Sequence, residues 1–214
     1  MAGKIIAVAQ QKGGSGKTTV AAHLAMALGE GLTVALLDVD PQGSLGQWFE
    51  RREARMGEGG TGLTFRTASG WGAKREARSL ARDHDLVVVD TPPKSDIEAR
   101  HAIESADLVA VPVQPTAVDL WATGATLEMI ERGGPPAVLV INRVPPRATA
   151  TAAVVEAIEA LNAPLAASRL GNRVAFPASM GAGSTVTEDV SAGKAAEEVR
   201  ALAAELRRML GWPS

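Results

Sequence analysis

Residues 11–19 read Gln11-Lys12-Gly13-Gly14-Ser15-Gly16-Lys17-Thr18-Thr19, between a short apolar run and a stretch with apolar residues at helical spacing. This is the context in which a glycine-rich turn wraps a phosphate at a helix N-terminus. Gly13, Gly14, Ser15 and Gly16 let successive backbone N–H groups turn toward the anion. Lys17 adds a point charge near the β and γ phosphates, and the hydroxyl of Thr18 is a ligand for Mg²⁺. A loop of this kind needs a strand before it and a helix after it, so it commits the chain to an α/β fold. One detail narrows the pattern: position 11, where the general motif has its first glycine, is Gln11, and a second lysine, Lys12, stands next to the glycines.

The rest of the chain alternates in the same sense. Lys4 to Gln10, Leu32 to Asp38, Gly62 to Thr67, Leu86 to Asp90, Leu108 to Val113, Ala137 to Ile141 and Leu165 to Leu170 read as strands. Lys17 to Leu28, Leu45 to Arg55, Ala73 to Arg82, Ile97 to Glu104, Asp119 to Glu131, Thr151 to Leu161 and Gly193 to Leu210 read as helices. The run Leu86-Val87-Val88-Val89-Asp90 is continuously apolar up to its last residue, as a central parallel strand covered on both faces would be. Repeated βα units predict a doubly wound, mostly parallel sheet with helices on both faces. We find no internal repeat and no long linker, so residues 1–214 are expected to form a single P-loop nucleotide-binding domain. Ligands of such sheets bind at the carboxyl ends of the strands, where Asp38, Asp40 and Asp90 fall.

The segment Lys12-Gly13-Gly14-Ser15-Gly16-Lys17-Thr18-Thr19 resembles the deviant Walker A motif of the ParA/MinD family of dimeric ATPases. Asp38-Val39-Asp40-Pro41-Gln42 resembles that family's switch I, and the apolar run ending Asp90-Thr91-Pro92-Pro93 its Walker B region. The resemblance implies ATP and Mg²⁺ as ligands of an ATP-dependent homodimer. Lys17 acts on the phosphates in cis and Lys12 in trans, across the subunit interface. Asp40 orients the attacking water; Thr18 ligates Mg²⁺ directly, while Asp40 and Asp90 hold it through water. Offsetting phosphoryl charge in this way is the main task in phosphoryl transfer. Asn142 stands where relatives read the adenine, and its amide carries a donor and an acceptor. Phe176 and Pro177 either wall the base or are a core phenylalanine beside a turn proline. Asp119 is an N-cap candidate or a residue of the nucleotide site or interface.

Composition removes some relatives of this fold. With no cysteine there is no cysteine-held cluster, and with no tyrosine no tyrosine autokinase tail. Aromatics are 3% of the residues, so the core must be aliphatic. No apolar run approaches the roughly 18–20 residues of a membrane span, and a cytoplasmic protein is expected.

The resemblance also bears on the target. Arg169 to Arg173 and Lys194 are similar in position to the basic contacts that ParA proteins make to DNA, implying nonspecific, salt-sensitive binding by Arg169, Arg173 and Lys194 and a nucleoid-associated protein. A net charge of −2 requires that such binding be local. The basic run from Arg51 and Arg52 to Arg82 reads instead as a solvated helical face. The loop lies so close to residue 1 that the small ParA type, without a helix-turn-helix extension, is expected, working with a ParB-like or adaptor partner on a plasmid, chromosome or other cargo. Two alternatives stand beside it. A MinD-like ATPase would lay its last helix on a membrane, but Leu202, Leu206, Met209 and Leu210 follow core-packing spacing. A synthetase of the dethiobiotin type would need a carboxylate-substrate pocket.

Overall fold

The computed structural model describes residues 3–57, 59–93, 97–146, 152–161 and 163–212. Six strands form one parallel sheet: β1 (Lys4–Val8), β2 (Val34–Asp38), β3 (Thr64–Thr67), β4 (Leu86–Asp90), β5 (Leu108–Val113) and β6 (Ala137–Ile141), in the order β3-β2-β4-β1-β5-β6. Register is continuous through the centre: Ile6 faces Val88 on one side and Leu108 on the other. Helices α1 (Lys17–Leu28), α2 (Ser44–Met56), α7 (Ala175–Gly181) and α8 (Lys194–Met209) cover one face. Helices α3 (Gly72–Asp83), α4 (Ile97–Ile103), α5 (Ala117–Gly133) and α6 (Ala152–Glu159) cover the other. Alternate strand residues feed the two cores: Ile6, Val8 and Val88 the first, Ile5, Ala7, Val87 and Val89 the second. That is the signature of a strand buried on both faces. The expected doubly wound fold is the observed one.

Four expectations need correction. The predicted strand Leu165 to Leu170 runs beside β6 but, among the described residues, bridges it only at Leu139–Leu165 and, past β6, at Val144–Gly171. Between these, the carboxylate of Glu205 on α8 accepts the N–H groups of Ala167 and Ser168 at 2.8 and 3.1 Å, so these donors cannot serve a sheet ladder. Helix α7 is absent from the sequence-based expectation: it is short, and Pro177 reads as a loop residue although a proline in the first turn breaks no helical hydrogen bond. Arg52 is no solvated residue but 1% exposed, with its guanidinium on Glu188 at 2.8 Å and on the Thr61 carbonyl at 2.8 Å. Met209 is exposed, whereas Leu202, Leu206 and Leu210 are buried as their spacing implied. Trp212 packs against the core, with the Arg207 guanidinium 5.6 Å from its ring centre. Thr151, the expected start of the sixth helix, and Met1 and Ala2 lie outside the described residues. No helix among the described residues is long and apolar enough to cross a membrane.

Candidate nucleotide site

The loop joining β1 to α1 lies at the carboxyl end of the sheet, beside a cleft of about 830 Å³. Gly13, Gly14, Gly16, Lys17, Thr18 and Thr19 line it from the loop, and Asp40, Asn142, Phe176 and Pro177 from elsewhere. Gly14 and Gly16 have φ of 77° and 95°, the left-handed region that a side chain resists. At Gly16 a Cβ would also stand 2.5 Å from Nδ2 of Asn142. Asn142 donates from Nδ2 to the Ser15 carbonyl at 2.9 Å and accepts the Arg143 N–H on Oδ1 at 2.9 Å. An amide has two N–H donors and two lone pairs, so one of each is left for a base. Phe176 packs in the core, as one of the two expectations had it, and also lines the cleft; Pro177 lies in the first turn of α7.

Electrostatically the site is a buried cluster of opposite charges. Lys17 is buried, and loss of hydration lowers its pKa against the pull of Asp90 and Asp40. Asp90, fully buried at the end of β4, is pushed up to about 7 by burial, although the Thr18 hydroxyl donates to its Oδ2 at 2.6 Å. Its other oxygen, Oδ1, is buried without a hydrogen-bond partner among the described residues. An unsatisfied carboxylate oxygen beside a threonine hydroxyl fits a hydrated divalent cation that takes few protein oxygens. Among the described residues no cluster of three or more His, Asp or Glu is placed to hold a metal. Asp40 is half-buried, with Oδ1 accepting the Gln42 N–H at 2.9 Å. Asp38 is more deeply buried; its carboxylate receives the N–H groups of Asp40 and Gly46 at 3.0 and 3.1 Å and so braces the turn that carries Asp40.

Lys12 is not among the residues that line the cleft. Its ammonium pairs with Oδ2 of Asp119, a carboxylate with no exposed side-chain surface. Asp119 is not the N-cap of α5: Thr116 is, its Oγ1 accepting the Asp119 N–H at 3.2 Å. Residues that carried no role in the sequence complete this wall. Gln10 is held between Thr123 and Thr126 of α5 at 3.1 and 2.7 Å, and the Gln11 N–H reaches Thr126 at 3.1 Å. Asp119, Thr123 and Thr126 are spaced i, i+4, i+7 and all are buried, a polar stripe that could have been read from helical periodicity. On the far side of the cleft, His23 of α1 meets Ser179 and Phe176 of α7.

Of the three basic residues expected to meet DNA, Arg173 lines the mouth of the cleft and is clamped by Glu198 at 2.6 and 2.9 Å. Arg169 is half-exposed, 3.7 Å from Glu159, and Lys194 is exposed at the start of α8.

A glycine-rich loop with a buried lysine, set between the first strand of a parallel sheet and its helix, defines a P-loop nucleotide-binding protein. Residues 6–186 match the model of the CobQ/CobB/MinD/ParA nucleotide binding domain, and the chain belongs to that family. It is 32% identical to Maintenance of carboxysome distribution protein A of Halothiobacillus neapolitanus, over 96% of this chain and 94% of that protein. It is 36% identical to the chromosome-partitioning ATPase Soj of Thermus thermophilus over 60% of this chain and 63% of that one. Two solved structures share the fold. An alanine variant of Cyanothece McdA in complex with ATP superposes with a TM-score of 0.81 at 16% identity, covering 99% of this chain and 98% of that one. Pyrococcus horikoshii MinD complexed with Mg-ADP gives 0.80 at 20% identity, covering 97% of each chain. The protein is a ParA/MinD-type ATPase.

Proposed function

We propose that this ATPase positions a cargo, in the manner suggested by the name of its Halothiobacillus relative, through a cycle of ATP-dependent pairing. The observation that carries the reading is the place of Lys12. It is the second lysine of the loop, yet it is held on Asp119 and does not line the cleft, as suits a residue that serves another subunit. Val118 and Trp121, the latter 73% exposed, stand on the same helix as Asp119 and supply an apolar surface for a second copy. In the paired state Lys12 leaves Asp119 and reaches the partner's nucleotide. Lys17 and Lys12 then offset phosphoryl charge, and Asp40 orients the water. Thr18 would hold Mg²⁺ directly, and Asp40 and Asp90 would hold it through water; the ion would supply further charge neutralisation. Asn142 contacts the base.

The pair binds nonspecific duplex DNA through Arg169, Arg173 and Lys194, with Arg173 exchanging Glu198 for a phosphate. An adaptor protein on the cargo stimulates hydrolysis and releases the pair from the nucleoid. The likeness to a carboxysome distribution protein over nearly the whole chain supports a carboxysome rather than a plasmid as the cargo. The test is binding of purified protein to nonspecific duplex DNA and to anionic liposomes, with ATP, ADP or no nucleotide, at two salt concentrations. DNA binding that requires ATP and falls steeply with salt is expected. ATP-dependent liposome binding without DNA binding would replace this reading with the membrane one, and binding to neither would overturn it.

A further inference from the structure

Arg143 is the residue that most departs from ordinary backbone geometry. Among the described residues it alone, apart from glycines, has a positive φ, 53°. Left-handed backbone is unfavourable for a long side chain and persists where surrounding contacts enforce it, most often at functional sites. Two contacts enforce it here. Oδ1 of Asn142 accepts the Arg143 N–H at 2.9 Å, and the Arg143 guanidinium donates to the Gly14 carbonyl at 3.2 Å. Gln114 donates to the same carbonyl at 2.7 Å from the end of β5. Asn142 takes the next carbonyl, that of Ser15.

We infer that Arg143 is a positioning residue of the phosphate loop. A trans peptide is planar, with its carbonyl and N–H pointing in opposite directions. Drawing the Gly14 oxygen toward Arg143 and Gln114 therefore turns the Ser15 N–H the other way. Drawing the Ser15 oxygen toward Asn142 does the same for the Gly16 N–H. Three side chains from the ends of β5 and β6 thus preset two consecutive donors for an anion before any nucleotide arrives. Preorganised donors of this kind hold phosphate more tightly than donors that must first be ordered. Arg143 adds a positive charge on the rim of the same cleft. The guanidinium acts through the loop, so its removal weakens binding of the polyphosphate and leaves recognition of the base alone. The inference rests on the cleft being the nucleotide site.

The test uses Arg143→Gly, because glycine accepts a φ of 53° without strain and removes only the side chain. ATP, ADP and adenosine affinities and the thermal midpoint without nucleotide are measured for the wild type, Arg143→Gly, Arg143→Gly with Gln114→Ala, and Lys17→Ala. Arg143→Gly should keep the thermal midpoint, bind ATP and ADP about tenfold more weakly and bind adenosine as before; the double variant should lose about a hundredfold, on the scale of one charge-assisted and one neutral hydrogen bond. ATP binding by Arg143→Gly within about twofold of wild type would overturn the inference. So would equal losses for ATP and adenosine, which would mark a general role in folding. The outcome for the parent reading is separate: if the wild type and Lys17→Ala bind ATP alike, the cleft is not the phosphate site at all.

Discussion

Acidification should loosen the joint between α1 and α7, the helix that walls one side of the cleft. His23 is 1% exposed. Its Nδ1 lies 2.7 Å from the Thr19 carbonyl, which can only accept, so Nδ1 carries the proton of the neutral ring. Nε2 is 3.3 Å from the Ser179 hydroxyl, and the ring meets Phe176 edge-on at 5.2 Å. Burial pushes the imidazole from 6.5 down to about 4, against the opposing pull of the Thr19 carbonyl and Glu188. The folded value lies below the unfolded one, so between these two values the native state binds fewer protons than the unfolded chain. The stability linked to His23 is thus fully present above pH ~6.5 and is lost as the pH falls toward ~4. At about 1.36 kcal/mol per unit the full effect is about 3 kcal/mol, of which about 2 kcal/mol is lost between pH ~7.5 and ~5. Asp90 works in the opposite sense. Its folded value is raised to about 7, so its contribution improves as the pH falls through the same window. A wild-type profile alone therefore conceals His23, and a difference experiment is needed. His23→Asn keeps a donor for the Thr19 carbonyl and cannot titrate. Urea unfolding of both proteins at pH ~7.5 and ~5, followed by far-ultraviolet circular dichroism, should show the wild type losing about 2 kcal/mol more than the variant. Equal losses would refute the argument that burial holds this histidine neutral.

Other outcomes follow from the site. Lys17→Ala should abolish ATP binding by calorimetry, whereas Asp40→Ala should bind ATP and pair, shown by light scattering, but release phosphate at least about a hundredfold more slowly. Normal turnover by Asp40→Ala would remove the water-orienting role. Gly16→Ala places a methyl against Asn142 in left-handed backbone, and should lower stability by about 2 kcal/mol and weaken nucleotide binding in a titration. Arg52→Ala leaves Glu188 half-buried without its main partner, and should lower the unfolding free energy by about 3 kcal/mol in urea.

Much of this architecture was legible because its signals are local. A continuously apolar run needs no partner to be recognised: Leu86 to Asp90 is apolar at every position but the last, and only burial on both faces makes such a strand soluble. Helix α8 was readable from Leu202 and Leu206, whose spacing places them on one face, while Met209 fell just outside that face. The short α7 escaped because seven residues give too few turns for periodicity, and Pro177 resembles a loop residue unless the helix start is already known. The segment from Leu165 to Leu170 has the composition of a strand, yet Glu205, distant in sequence, takes two of its N–H groups. Composition alone carries no sign of that competition.

The same division runs through the site. By itself the sequence determined the phosphate loop, its two lysines and the acids at the strand ends, since phosphate binding depends on glycines, a lysine and a threonine within one short turn. Only the tertiary structure decided what those groups face. Lys12 meets Asp119, Arg143 and Gln114 meet Gly14, Asn142 meets Ser15, and Arg173 meets Glu198. Each pairing except the last joins the loop to the end of a different strand or to the helix that follows it. Chain neighbours are fixed by covalent geometry, whereas these partners are chosen by which strands lie side by side, and that order is set by packing the whole sheet.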